Sequence, residues 1–315
     1  MQLSPPPEPA VAAFTTAVQK LAGDNARVLL AVSGGPDSLA MLLLAHAAMP
    51  ARILAATVDH ELRPEAAAEA SFVAAVCGKL NIPHSTLRPS KAITGNLQSE
   101  ARAVRYALLQ TEADAAGCNW IATAHHADDQ LETVLMRIAR GSGIDGLAAV
   151  RARQGRIIRP MLGFTKSKLE EICALSGITP VLDPSNTNDS FDRVAMRQWL
   201  SSNTHPFDPH RAVRTATASA DAAEALEWMA DAVFETQVSR DGDSFALNAV
   251  DLPREIQRRI LLRILNQIQP GYLPRGDAAD RALDALNDGA RQMLGDVLCE
   301  GGKTWRFCPA PQRQH

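Results

Sequence analysis

The sequence predicts an α/β fold, a doubly wound parallel sheet, followed by a second, smaller α+β domain. Three observations predict it. An apolar run at residues 28–32, with Val28 and Val32 at its ends, meets a glycine turn and then an apolar helical pattern from Ser38. A second strand at 52–58 follows that helix, and strand, helix and strand within about thirty residues is the βαβ unit of a parallel sheet. A chain of 315 residues exceeds the usual ceiling for one hydrophobic core, which makes two domains the expectation.

In chain order, the proline-rich residues 1–10 read as a flexible tail without the basic-then-apolar layout of a signal peptide. Residues 11–21 have helical spacing, 38–48 form the first crossover helix, and the strand 52–58 ends at Val58-Asp59-His60. Helices are predicted at 64–80 and 96–116, with a weaker strand at 83–87 between them and another strand at 120–124. The next helix carries Leu131, Val134, Leu135 and Ile138 as its core face. Gly141, Ser142, Gly143 and Gly146 make a hinge or loop; Thr165 opens a helix to 176 as its N-cap, and residues 188–197 lead into a helix bearing Arg193 and Arg197. Two prolines in His205-Pro206-Phe207-Asp208-Pro209-His210 break helicity and mark the domain boundary. Beyond it lie helices at 211–236, 253–267 and 278–287, with strands at 245–248, 296–299 and 304–307.

The longest apolar stretches are too short or too interrupted to cross a membrane. Five scattered cysteines with no Cys-x-x-Cys pair fit a reduced, cytosolic compartment. A net charge of −3 argues against a generic nucleic-acid binder, although local distribution matters more than the sum.

Ser33, Gly34, Gly35, Pro36, Asp37 and Ser38 form the turn after the first strand. Two glycines remove the Cβ atoms that would block close approach to the backbone, and the N–H groups that follow point out of a helix N-terminus. The product is an anion-binding nest for a nucleotide. Ser33 and Ser38 offer hydroxyl donors to phosphate oxygens, and Asp37 can hold the Mg²⁺ that accompanies a triphosphate. No Lys follows the glycines, which excludes a Walker A loop.

A second informative stretch is WIATAHHADDQLETVLMRIAR at 120–140. His125 stands at a strand tip, and Asp129 and Glu132, three apart, share a face near the helix N-terminus. Three readings compete for His125, His126, Asp128, Asp129 and Glu132: a polar helix cap, a His/Asp metal site, and a substrate pocket. The glycine loop upstream favours the third, since both stretches would end at one edge of one parallel sheet. Between 133 and 160, six arginines (Arg137, Arg140, Arg151, Arg153, Arg156, Arg159) stand against one acid, Asp145, a balance suited to phosphate-backbone contact.

SGGPDS resembles the SGGxDS signature of the PP-loop ATP pyrophosphatases. With VDHELR at 58–63, EARAVRY at 100–106, AHHADDQLET at 124–133, RGSGIDGL at 140–147, RPML at 159–162 and DPSN at 183–186, the chain is similar to one branch of them, the tRNA(Ile)-lysidine synthetases. Val194 stands where that family usually has Asn, while Arg193 and Arg197 are kept. The resemblance implies an adenine nucleotide alpha hydrolase-like sheet in a catalytic domain at 11–210, with a tRNA-recognition domain at 211–315. It implies ATP and Mg²⁺ as cofactors, and as partners L-lysine and a tRNA(Ile) with a CAU anticodon, with no membrane; monomer and homodimer stay open. ATP would adenylate the C2 oxygen of the wobble cytidine, and the lysine ε-amine would displace AMP. The nucleotide set it implies is Ser33 to Ser38 with Val58 and Asp59, with Asp37 as the metal ligand, while the division of Asp37, Asp59 and Asp129 between Mg²⁺ and substrate stays open. Asp129 and Glu132 would orient the lysine cation, and His125 and Arg105 would contact the cytidine or the adenylate. Two other readings remain: a tRNA thiolase on the same loop, which generally wants a cysteine pair or cluster, and a non-catalytic adenine-nucleotide-binding module.

Overall fold

The computed structural model describes residues 3–60, 65–90, 97–181, 192–248 and 251–310, with 97–99 and 192 described by backbone alone. Residues 61–63 of VDHELR, the DPSN stretch at 183–186 and the helix lead-in at 188–191 lie outside the described residues. The chain divides into two compact units, Met1–Ala220 and Asp221–His315.

The first unit is the expected doubly wound sheet. Helix α1 (Glu8–Ala22) precedes β1 (Val28–Ala31), α2 (Pro36–Ala48) and β2 (Ile53–Val58). Then come α3 (Ala66–Lys79), β3 (His84–Leu87), α4 (Leu97–Ala115), β4 (Trp120–Ala122) and α5 (Ala127–Ala139). After the short α6 (Ile144–Leu147) come β5 (Arg153–Gln154), β6 (Ile157–Ile158), α7 (Lys166–Leu175) and α8 (Asp192–Ser202). The strand order is β3-β2-β1-β4-β6-β5, parallel except for the β5–β6 hairpin. Alternate residues serve opposite layers. Val28, Leu30, Ile53, Ala55 and Ala122 join the core beneath α1, α2 and α7, whereas Leu29, Ala56 and Ile121 pack with Leu109 and Ala113 of α4. Because both faces are covered, the strands read as unbroken apolar runs. Helix α2 is buried on every side from Ser38 to Ala45, between sheet, α1 and α7.

Several expectations change. Residues 3–10 are not a loose tail: Leu3 packs on the core, Ala10 is buried, and α1 starts at Glu8, with Pro7 and Pro9 presetting its first turn. Ile138, expected in the core, is 58% exposed, because α5 is covered only along its first three turns. The Thr165 hydroxyl pairs with Ser167 Oγ; the α7 N-terminus is instead closed by Asp128 Oδ2, which accepts from the Lys166 N–H at 2.7 Å.

The arginine-rich segment is largely used internally. Arg159 is buried and donates to the Arg151 carbonyl at 2.5 Å, Arg156 binds Asp114 and the Cys118 carbonyl, and Arg153 lies 4.4 Å over the Trp120 ring. Gln130 clamps the loop before β5, donating to the Val150 carbonyl at 2.9 Å and accepting its N–H at 2.8 Å.

Helix α9 (Pro209–Gln237) spans the division between the units. The second unit contains β7 (Val238–Asp241), β8 (Ser244–Leu247), α10 (Arg254–Ile268), α11 (Ala278–Asn287), β9 (Arg291–Leu294), β10 (Val297–Glu300) and β11 (Trp305–Pro309). Its strands form one antiparallel sheet in the order β7-β8-β11-β10-β9. Trp305, Phe307, Leu247 and the apolar stripe of α10 make its core. The arginines of α10 face acids: Arg259 and Arg263 bind Glu227, Arg263 also binds Asp231, and Arg254 binds Asp284. Among the described residues no helix is long and apolar enough to cross a membrane.

Candidate active site

Strand order places the switch point of the sheet between β1 and β4, and ligands of such sheets bind outside the carboxyl ends of the strands there. The two motif-bearing loops leave from those two ends. After β1, Gly34 adopts φ +89°, a left-handed conformation that a side chain resists, and a Cβ there would meet Val73 at 3.4 Å. Ser38 Oγ accepts the Ser33 N–H at 3.1 Å and donates to the Gly35 carbonyl at 3.0 Å, which fixes the turn. Downstream chain holds it from outside: the Val181 N–H donates to the Gly34 carbonyl at 3.0 Å and the Cys173 thiol to the Pro36 carbonyl at 3.2 Å.

Asp37 sits in the first turn of α2 and meets the second loop there. Its Oδ2 lies 3.6 Å from Nε2 of His126, the N-cap residue of α5. The same imidazole has Asp128 Oδ2 at 3.5 Å and Asp129 Oδ2 at 3.6 Å, separations of an ion pair rather than a hydrogen bond. Burial opposes charge on His126, but the carboxylates of Asp128, Asp37 and Asp129 overcome it and raise the imidazole to about 10. It is a cation at neutral pH. Its neighbour behaves oppositely. Burial, reinforced by Arg159, Arg193 and Arg102 against the pull of Asp129, pushes His125 down to about 4, and its Nδ1 shares a hydrogen bond with Thr123 Oγ1 at 2.9 Å. His125 is neutral.

Asp129 Oδ2 accepts the His126 N–H at 3.0 Å, closing the α5 N-terminus. Burial works against its ionisation, yet His126 and Arg193 hold its carboxyl below the ordinary range. Two arginines reach these acids from α8. Arg193 donates to Asp129 Oδ1 at 2.7 Å and to Glu132 Oε2 at 2.9 Å; Arg197 donates to both Glu132 oxygens at 2.8 and 3.1 Å. Glu132 is only 3% exposed. The hydrogen bond to Glu132 raises Arg197, helped by the charges of Glu132, Asp129 and Asp37.

Asp37, Asp129, Glu132 and His125 are thus gathered at one sheet edge. The other expected residues lie elsewhere along it. Val58 pairs in register with Leu87; buried Asp59 donates its N–H to the Leu87 carbonyl and accepts Arg88 Nε at 3.2 Å. Arg105 is exposed on α4 and joins burial in lowering His60. Among the described residues no hydrogen bond or ion pair ties it to the cluster.

Asp37 Oδ1 is buried without a hydrogen-bond partner, which fits a cation brought to this oxygen with the phosphates. Among the described residues no three His, Cys, Asp or Glu side chains could hold a metal ion by themselves. Mg²⁺ on Asp37 would have to share its coordination with phosphate and water, as it commonly does.

A family model described as a PP-loop domain matches residues 9–204. A protein of Zymomonas mobilis named tRNA(Ile)-lysidine synthase is 42% identical over 294 residues, covering 90% of this chain and 89% of the relative. The chain belongs to the tRNA(Ile)-lysidine synthase family. A second member of that family, from Novosphingobium aromaticivorans, is 39% identical over 299 residues, covering 92% and 91% of the two chains. The chain is accordingly an enzyme of the PP-loop class, and that class uses ATP. Its fold is also similar to the solved U34-tRNA thiolase NcsA of Methanococcus maripaludis, at 18% identity and a TM-score of 0.54, over 66% of this chain and 78% of that one.

Four residues of the cluster had no individual role in the sequence reading: His126 and Asp128 stood among the candidates of the 120–140 stretch, and Arg193 and Arg197 only as kept positions of the family pattern. The two arginines carried a signal, since positions four apart share a helix face. Nothing local to them named the acids they bind.

Proposed function

We propose that this enzyme ligates free L-lysine to C2 of the wobble cytidine in a CAU-anticodon tRNA(Ile), converting ATP to AMP and pyrophosphate. The observation that carries the reading is the meeting of Asp37, in the phosphate loop, with the His126–Asp129 helix start at 3.6 Å. It puts an α-phosphate cradle beside acids suited to an amine. In the first step the cytidine O2 attacks the α-phosphorus and pyrophosphate leaves. In the second the lysine ε-ammonium gives one proton to solvent, its nitrogen attacks C2, the C2–O bond to AMP breaks, and a second proton leaves to solvent so that one N–H remains on the new C–N bond.

The nest of Ser33 to Ser38 binds the phosphates, with Val58 and Asp59 along the same edge for the rest of the nucleotide. Asp37 would hold Mg²⁺, which supplies neutralisation of phosphate charge. Asp129 and Glu132 read the lysine ammonium, and Arg193, at 40% side-chain exposure, is the cation that gives way to it. His125, neutral at working pH, and Arg105 contact the cytidine or the adenylate. Residues 11–210 carry the chemistry in this reading and 211–315 recognise tRNA.

The test is nucleoside mass spectrometry on a CAU-anticodon tRNA(Ile) transcript incubated with the purified chain, Mg²⁺, ATP and lysine. Lysidine that forms only with all components present is the expected result. Pyrophosphate and AMP without lysidine would overturn the choice of nucleophile, and a thiolated nucleoside formed when sulfide replaces lysine would point to thiolation. No tRNA-dependent ATP turnover would overturn the enzymatic reading altogether.

A further inference from the structure

The last turn of α8 and the turn that leads from it to α9 carry three aromatic rings that neither the catalytic cluster nor the core uses. His205 stacks on Trp199 with centroids 6.1 Å apart and planes 17° apart; Phe207 lies 5.8 Å from His205 and 6.3 Å from Trp199. Trp199 is 46% exposed and Phe207 40%. Water-facing aromatic surface of this kind costs free energy unless something covers it.

The rings are held in place. Asn203 Nδ2 donates to the Trp199 carbonyl at 2.7 Å, His205 Nε2 to the Leu200 carbonyl at 3.1 Å, and Pro206 and Pro209 restrict the backbone between and after them. Asp208 Oδ1 accepts the Arg211 N–H at 2.8 Å, so this carboxylate closes the α9 N-terminus. Beyond it the surface is cationic. His210, Arg211 and Arg214 are exposed on the first turns of α9, and the next acid in sequence is Asp221. The remaining neighbours, Ser201, Ser202, Asn203 and Thr204, are exposed, small and polar.

We propose that this turn is a stacking platform for an unstacked nucleotide of the tRNA substrate. The charge and the ring type select the occupant. A base offers a flat π-face to Trp199 and Phe207, and its phosphates suit Arg211 and Arg214, whereas a protein helix would want an aliphatic rim that this turn lacks. The proposal rests on the tRNA reading above and adds a contact that lies outside the catalytic cluster.

The experiment measures binding of the tRNA(Ile) transcript to the full chain and to Trp199→Leu/Phe207→Leu, at several salt concentrations, beside thermal unfolding. The double variant is expected to bind roughly 5- to 150-fold more weakly, the range of one base–aromatic stack, and Trp199→Phe to stay within about threefold of the parent. Arg211→Ala/Arg214→Ala should flatten the salt dependence by about 1.4 in log–log slope if both meet single-stranded phosphates. Unchanged affinity in a folded double variant overturns the platform while leaving the tRNA reading intact. No affinity in the parent chain overturns the tRNA reading and the platform with it. Should the double variant not fold, the parent-minus-Trp199→Phe fluorescence decides: tRNA must quench it, and an unquenched Trp199 overturns the platform.

Discussion

Two adjacent histidines shifted in opposite directions give the first unit a stability maximum in pH, and its alkaline side belongs to His126. In the unfolded chain that imidazole titrates near 6.5; folded, it holds its proton to about 10. Between those values the folded state carries one proton that the unfolded state has lost. Stability from this residue is therefore fully present below about 6.5 and is lost as pH rises through about 10. The slope inside the window is about 1.4 kcal/mol per pH unit. The range pH 7 to 8.5 isolates it, because buried thiols such as Cys77 and Cys173, pushed up to about 12, add a slope of the same sign only as pH approaches 9. The perturbation is His126→Gln. The assay is urea unfolding at a series of pH values, followed by amide exchange of β1 and β4 so that the signal reports the first unit. The parent should lose about 2 kcal/mol across the window and the variant little. Equal slopes in the two proteins would refute the assignment of a charged imidazole among Asp37, Asp128 and Asp129.

The acid side has the mirror sign: His125, pushed down to about 4, makes stability rise with pH from there to about 6.5, and His125→Gln should flatten that limb in the same unfolding series. Asp37→Asn should reduce tRNA-dependent pyrophosphate release by about a hundredfold or more and also lower thermal stability, since its Oδ2 faces the His126 cation at 3.6 Å; normal turnover in the folded variant would remove Asp37 from the phosphate site. Glu132→Gln takes away a carboxylate that accepts three guanidinium hydrogen bonds. With both arginines more than a third exposed, we expect a loss of about 2 kcal/mol and a raised lysine KM, checked by unfolding and by lysine titration; an unchanged lysine KM counts against amine recognition. Arg259→Ala should destabilise the second unit by about 2 kcal/mol and leave the tRNA salt slope unaltered, because its side chain is buried against Glu227 and Glu255. A changed salt slope would place Arg259 on the RNA surface.

The central strands and the glycine turn were legible because their causes are local. A buried parallel strand must be apolar throughout, and a phosphate nest must have glycine where φ is positive, so 28–38 reads the same in sequence and in space. The two-residue strands β5 and β6 were not legible, since each takes its conformation from pairing with the other and with β4. Strands β7 and β9 were missed for a similar reason: VSRD and RQML carry little apolar alternation and lie at the edges of their sheet. In the site, spacing put Asp129 and Glu132 on one face, but their partners come from α8, about sixty residues later. Thr165 had the right type and backbone for a cap, and lost the place to Asp128 of another helix because a carboxylate is the better acceptor at a helix N-terminus.

The clasp on the phosphate loop sets a timetable for the growing chain. Residues 33–38 leave the ribosome well before the groups that brace them, Cys173 and Val181, and before the arginines that neutralise the neighbouring acids, Arg193 and Arg197, all made more than 130 residues later. Closing loops of that length is slow compared with local helix formation. The nascent protein therefore carries an unfinished nucleotide site until Arg197 has emerged. A chain that stops short of Cys173 would hold the SGGPDS turn without the bracing that shapes it, so products truncated there are expected to be silent toward ATP.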